Sequence, residues 1–223
     1  MLTPYSKISD YWNANPCAGG NPKFPFHMFK GAKVLEVGCG AGVDAMRFVQ
    51  NGANYTGIDI TQVSLLVTRE KIGNQGRLEN MNAEYMDFPD NYFDLVYSWG
   101  VIHHAVNPAN VTKEIYRILK PNGFISVMLY GKPSFRYFEI MVLRKILWHL
   151  RFHRYYKLRE ETPHPTKEQW ISWNTDNLGC PLSRVYTKKE AIALLSKFKI
   201  SKSWAERYGW FRILVGRKEF TTS

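Results

Sequence analysis

Seven residues, Glu36-Val37-Gly38-Cys39-Gly40-Ala41-Gly42, constrain this chain more than any other stretch. Glycine at every second position fits neither a helix nor a strand interior, so the segment is a turn. An apolar run, Lys33–Val37, leads into it. A stretch with helical spacing follows, carrying Val43, Ala45, Met46, Phe48 and Val49 as far as Asn51-Gly52. A second apolar run, Tyr55–Ile60, comes next. Strand, glycine turn, helix and strand in this order make a βαβ unit, because parallel strands need a crossover of about a dozen residues or more. Two further strands are legible at Phe93–Ser98 and Gly123–Leu129, with helical spacing from Val111 to Leu119 between them. The expected architecture is α/β, a Rossmann-like, doubly wound sheet with helices on both faces.

The glycine turn excludes two common phosphate-binding loops. A dinucleotide fingerprint needs a small third residue so that helix packs on strand, and here that position, counted from Gly38, is Val43. A P-loop needs Gly-Lys-Ser/Thr, which does not follow. The pattern present is Glu-x-Gly-x-Gly-x-Gly, with an acidic residue, Asp59, near the end of the second strand.

That pattern resembles motif I of the class I S-adenosylmethionine-dependent methyltransferases. The segment Asn82-Ala83-Glu84 through Phe93-Asp94 resembles the N-A-E-x-L-P-F-P-D-N-x-F-D stretch of the ubiquinone/menaquinone-biosynthesis type. Ser98-Trp99-Gly100-Val101-Ile102-His103-His104 resembles that group's segment after strand 4. Leu119-Lys120-Pro121-Asn122-Gly123 resembles its L-K-P-G-G turn, with Asn122 where glycine is usual. The resemblance spans about residues 33–130. It implies S-adenosylmethionine as cofactor, S-adenosylhomocysteine as product, a seven-stranded sheet closed by an antiparallel hairpin, and no metal. It also implies that Gly38, Cys39, Gly40 and Gly42 form the loop against the cofactor's methionine part, with Glu36 orienting it. Asp59 would accept the ribose hydroxyls, Ile60 would lie on the adenine face and Asn82-Ala83 on the adenine edge. Ser98 and Trp99 would line the methionine side.

Methyl transfer from a sulfonium asks the protein for proximity and, where the acceptor is protonated, for a base. His103 and His104 stand just after the fourth strand of the motif order, and an imidazole titrates near neutrality. Either is a candidate base, with a slight preference for His104. The competing reading of both is a histidine satisfying loop backbone. The residues after Ser98 lack the Asp/Asn-Pro-Pro-aromatic pattern resembling amide and exocyclic-amine methylation, and no Pro-Cys follows the strand. A small-molecule or lipid-linked acceptor, methylated at oxygen, is the expectation.

Four regions follow. Residues 1–32 read as an N-terminal cover, residues 33–130 as the cofactor core, 131–185 as a basic helical insert or lid, and 186–223 as a last helix and closing hairpin. In the cover, Tyr11-Trp12 opens a Y-W-x-x-x-P-C stretch like that of a set of small methyltransferases of mostly unassigned substrate. These aromatics could close over cofactor or acceptor, or pack a leading helix. Gly179-Cys180-Pro181 leads to Arg184 and Tyr186, a cation and a hydroxyl for the acceptor or neighbours of a helix cap at Thr187. The hairpin is expected from Lys199–Trp204 and Trp210–Val215, joined through Arg207-Tyr208-Gly209.

Charge divides the chain. The net charge is +11; residues 1–130 hold 11 basic and 11 acidic residues, whereas residues 131–223 hold 19 and 8. The basic excess centres on Phe135–Arg159, where Ile140, Leu143, Leu147 and Leu150 recur at helical spacing among Arg136, Arg144 and Lys145. Such a segment is a plain lid, a peripheral contact with an anionic membrane, or a phosphate track for nucleic acid, the last making methylation of a tRNA nucleoside the alternative activity. A cofactor-binding scaffold without turnover is the non-enzymatic alternative. Three cysteines form no disulfide framework, the first residues lack a signal-peptide pattern and no 18-residue apolar run exists, so a cytoplasmic, at most membrane-peripheral, protein is expected.

Overall fold

The computed structural model describes residues 3–150, 155–176, 179–206 and 211–219. Its centre is a seven-stranded sheet in the order β3-β2-β1-β4-β5-β7-β6. The parallel part comprises β1 (Lys33–Val37), β2 (Asn54–Asp59), β3 (Arg77–Asn80), β4 (Phe93–Trp99) and β5 (Leu119–Tyr130). β7 (Phe211–Lys218) lies antiparallel between β5 and β6 (Phe198–Glu206). The expected closing hairpin is therefore present as two antiparallel strands, while its joining residues, Arg207-Tyr208-Gly209 and Trp210, lie outside the described residues.

Strands covered on both faces need apolar side chains in both directions, and β1 is buried at four of its five residues. Val34 joins Phe48, Tyr55 and Tyr97 in a core beneath α2 (Val43–Gln50), while its neighbour Leu35 joins Val96, Ile115 and Leu214 beneath α4 (Pro108–Ile118). α3 (Gln62–Ile72) starts at Thr61, whose hydroxyl accepts the Ser64 N–H, and its Leu65, Thr68 and Ile72 are buried. The edge strand β3 is short and polar, which left no apolar run to read in the sequence.

β5 begins earlier than expected. Its pairing with β4 jumps from Phe93–Leu119 to Leu95–Phe124, so Lys120–Gly123 bulge out of the ladder. Asn122 takes φ 62° there, the left-handed conformation that asparagine tolerates better than most residues, which explains how it stands where the resembled turn motif has glycine.

The insert is several helices rather than one. α5 (Phe135–Phe138), a wide π turn (Glu139–Leu143) and α6 (Arg144–His149) run on without a break. α7 (Tyr156–Glu161) and α8 (Lys167–Thr175) follow, the latter opened by a Thr166–Gln169 capping box. Ile140, Trp148, Tyr155 and Trp170 form their own cluster, continued to the sheet through Met128, Tyr130 and Ile213. α9 (Lys188–Leu194) carries the Thr187–Glu190 capping box, and gives way to β6 at Phe198. No helix among the described residues is long and apolar enough to cross a membrane.

Candidate active site

A cavity of roughly 120 Å³ opens at the carboxyl ends of β1, β2 and β4. That is where ligands bind in open α/β sheets. The glycine loop forms its floor. Gly38 has φ 75°, and a Cβ there would stand 2.2 Å from Val101 Cγ2, so only glycine lets the loop after β4 lie against the loop after β1. The Gly38 and Cys39 N–H groups both donate to the Ile58 carbonyl, and Ala41 N–H donates to the Cys17 carbonyl at 2.8 Å. The cover thus crosses directly over the loop.

Asp59 sits at the end of β2, half-buried, and desolvation pushes its carboxyl up. Oδ2 accepts the Gly40 N–H at 3.0 Å, and Oδ1 accepts the Thr61 N–H and hydroxyl at 2.9 and 2.8 Å. A carboxylate offers about four acceptor positions, so about one, on Oδ2, is left for a ligand hydroxyl. Glu36 also lines the cavity, receives the Tyr55 hydroxyl at 2.6 Å and is held well above the usual carboxyl range by burial. Ile60, Asn82, Ala83 and Trp99 complete the lining from the β2, β3 and β4 ends, together with Cys39 and Gly40.

α1 (Pro4–Ala14) roofs the cavity with Tyr5, Ile8 and Trp12. Its docking depends on Glu84, which accepts the Tyr5 hydroxyl at 3.0 Å through one oxygen and the Asn107 N–H at 3.0 Å through the other. Glu84 lies inside the motif that resembles the methyltransferases, yet a contact with residue 5 leaves no local sequence pattern. Burial of Tyr5 and its bond to Glu84 push the phenol up to about 12.

The two histidines separate. His104 lines the cavity, edge-on to Trp12 at 4.9 Å between ring centroids. Its Nδ1 lies 2.7 Å from the Leu182 carbonyl, an acceptor only, so Nδ1 carries the proton and Nε2 the lone pair. Nε2 faces Asp176 Oδ2 at 3.4 Å, and Tyr130 donates its hydroxyl to the other carboxylate oxygen at 2.5 Å. Burial pushes the imidazole down, while Asp176 and the Leu182 carbonyl oppose it. The result is an imidazole held below its ordinary value with a carboxylate beside the atom that would take a proton. Cys180 completes a His104–Asp176–Cys180 cluster, but burial pushes its thiol up to about 12 and its Sγ, like Nδ1, turns to the Leu182 carbonyl.

Several expected site residues lie outside the cavity lining. His103 is fully buried against the Tyr130 ring at 4.0 Å, with neither ring nitrogen hydrogen-bonded among the described residues. Ser98 is fully buried and absent from the lining, its hydroxyl unpartnered among the described residues. Gly42 serves packing: at φ 71° it caps α2, and a Cβ would meet Thr68 Cα at 2.9 Å. Tyr11 stands edge-on behind Trp12, away from the lining. Arg184 donates to the Ala105 and Val106 carbonyls at 2.6 and 3.1 Å, clamping the loop that carries His104. Tyr186 pairs its backbone with Tyr130 and packs its ring on the main core. In each case the residue type fits a ligand role and a structural role equally, and only packing separates the two. Asp176 and Tyr130 leave no local signal because their partner His104 lies 72 and 26 positions away, Asp176 within the insert and Tyr130 just before it.

Comparison with known proteins agrees with this geometry. Residues 35–127 match the model of a methyltransferase-domain family. Over 103 residues the chain is 39 % identical to a sterol 24-C-methyltransferase of Gibberella zeae, covering 44 % of this chain and 27 % of that protein. Over 114 residues it is 32 % identical to a ubiquinone/menaquinone biosynthesis C-methyltransferase of Erwinia tasmaniensis, covering 48 % of this chain and 45 % of that one. The match thus spans less than half the length of these curated relatives. Among solved structures, a [4+2]-cyclase superposes with a TM-score of 0.66 at 17 % identity, over 99 % of this chain and 98 % of that chain. A likeness at that identity speaks for the fold alone. Motif order, sheet topology and family match together identify residues 35–127 as a class I methyltransferase domain that resembles the ubiquinone/menaquinone-biosynthesis type.

Proposed function

We propose that the protein moves the methyl group of S-adenosylmethionine to a small-molecule or lipid-linked acceptor, at an oxygen whose proton passes to His104. The observation that carries this reading is the tautomer of His104, a residue of the cavity lining: Nδ1 donates to Leu182, and the lone pair on Nε2, buried and without a hydrogen-bond partner among the described residues, faces Asp176. Such a pair accepts a proton from an acceptor hydroxyl and stabilises the imidazolium that results.

The residues present fit the cofactor. Asp59 offers the remaining acceptor position for a ribose hydroxyl, and Ile60 and Asn82-Ala83 stand where an adenine would lie. Glu36, the loop Gly38–Gly40 and Trp99 face the methionine side. When bound, the cofactor supplies a methyl group on a sulfonium sulfur, which leaves as a neutral thioether. This chain's own part is to hold the acceptor oxygen in line and to take its proton. The cavity walls, which include Ile8, Val101, Val106 and the Trp12 that packs on His104, suit an acceptor with an apolar skeleton. Relatives named for sterol and quinone methylation support the same class.

The test is incubation of the purified protein with methyl-labelled S-adenosylmethionine and a cell extract split into lipid, small-molecule and RNA fractions. Label in the lipid or small-molecule fraction, on oxygen by mass spectrometry and lost in His104→Asn, is the expected result. Label in RNA, or on carbon with His104→Asn fully active, overturns it. No label despite tight S-adenosylhomocysteine binding would leave a cofactor-binding protein without turnover.

A further inference from the structure

The helical run Phe135–Leu150 has an inner face set by Ile140, Arg144 and Trp148, four residues apart and all buried. Its outer face carries Phe135, Phe138, Val142, Leu143, Ile146, Leu147 and Leu150, every one exposed. Seven of the thirteen exposed large apolar side chains among the described residues therefore fall on one helical face of 16 residues. Scattered apolar residues are ordinary on a surface, but a contiguous stripe marks an interaction.

Charge chooses the partner. Between residues 132 and 159 the sequence has eight lysines and arginines and one acid, Glu139, a net +7. That acid is occupied: Arg136 donates to one oxygen at 2.6 Å and Arg144 to the other at 2.9 Å. Two copies of a segment with this charge repel each other face to face, whereas an anionic surface attracts it. An aliphatic stripe on a segment whose sequence is this cationic, with its one carboxylate already paired, has the composition of a helix that lies in a bilayer interface.

We infer that the outer face of Phe135–Leu150 docks on a membrane containing anionic lipid. This goes beyond the proposed methyl transfer and does not depend on it. The docking helix is joined to the active site by the buried Arg144, which donates to the Asn174 carbonyl and side-chain oxygen on α8. Two residues later comes Asp176, the partner of His104. A lipid-linked acceptor would thus meet a cavity whose base is braced by the membrane-facing element.

The experiment is co-sedimentation of the whole protein with vesicles of phosphatidylcholine alone and with an equal amount of phosphatidylglycerol. The expected result is binding to the mixed vesicles only. The double variant Ile146→Asp/Leu150→Asp changes two exposed positions, and its partitioning should fall by about tenfold or more. Unchanged melting temperature and S-adenosylhomocysteine affinity in the variant tie the loss to the face itself. Wild-type protein left in the supernatant, or a variant that still sediments, overturns the inference. So does a concentration-dependent dimer in sedimentation velocity that the same variant dissolves, which would give the stripe to a second copy of the chain.

Discussion

His104 Nε2 and Asp176 Oδ2 face each other at 3.4 Å, brought together from a loop after β4 and from the far end of α8. His103, His104's other titratable neighbours Cys180 and Arg184, and Tyr130 on the Asp176 carboxylate complete the surroundings. Asp176 favours the charged imidazole and raises its pKa against the effect of burial. Asp176→Asn should therefore lower kcat by about tenfold to a hundredfold and move the acid limb of the kcat/KM profile to lower pH. A lowered rate with an unmoved limb would make Asp176 structural. His104→Asn should cost about a hundredfold or more with S-adenosylhomocysteine affinity unchanged.

The ribose assignment rests on Asp59. Asp59→Ala should weaken S-adenosylhomocysteine binding by about 1–3 kcal/mol in a calorimetric titration, since a charged acceptor is lost. An unchanged dissociation constant would remove the assignment. Because the same carboxylate holds Gly40 and Thr61, a melting curve must accompany the titration.

Burial pushes His103 well below the ordinary imidazole value, with the neighbouring His104 adding to it. Between the folded value and about pH 6.5 the unfolded chain binds the extra proton. Stability is then complete above about pH 6.5 and falls as the pH drops toward the folded value, by up to about 1.4 kcal/mol per pH unit for this one group. His103→Leu should flatten the acid side of a urea-unfolding series taken between about pH 5 and 7. An unaltered slope would show that His103 does not carry it.

Gly38→Ala would place a methyl 2.2 Å from Val101 Cγ2 at a backbone φ of 75°. The expected loss is about 1–3 kcal/mol in unfolding free energy. Adding Val101→Ala should return part of it, because the clash is relieved while the backbone cost stays. Full additivity of the two changes would show that the loops do not touch as described.

The cofactor half was legible because its signals are local. The turn Glu36–Gly42 and the apolar runs of β1, β2 and β4 each state their role within a few residues, as the cap at Thr187 does further along the chain. β3 escaped because an edge strand of Arg77-Leu78-Glu79-Asn80 has no apolar run. Arg184 was legible as a cation but not as a clamp, since the carbonyls it holds belong to residues 105 and 106. Asp176 carries no motif at all; the fold of the insert gives it meaning.

The bond from Ala41 N–H to the Cys17 carbonyl makes the cover and the cofactor loop one unit. A Cβ at Gly40 would meet that carbonyl at 2.6 Å, so the two segments are shaped to each other. Anyone grafting a cover from a related enzyme to change acceptor choice would also be editing the cofactor's seat. Chimeras that exchange residues 1–32 must therefore carry the matching glycine loop, and selectivity and cofactor affinity in this protein should be inherited together.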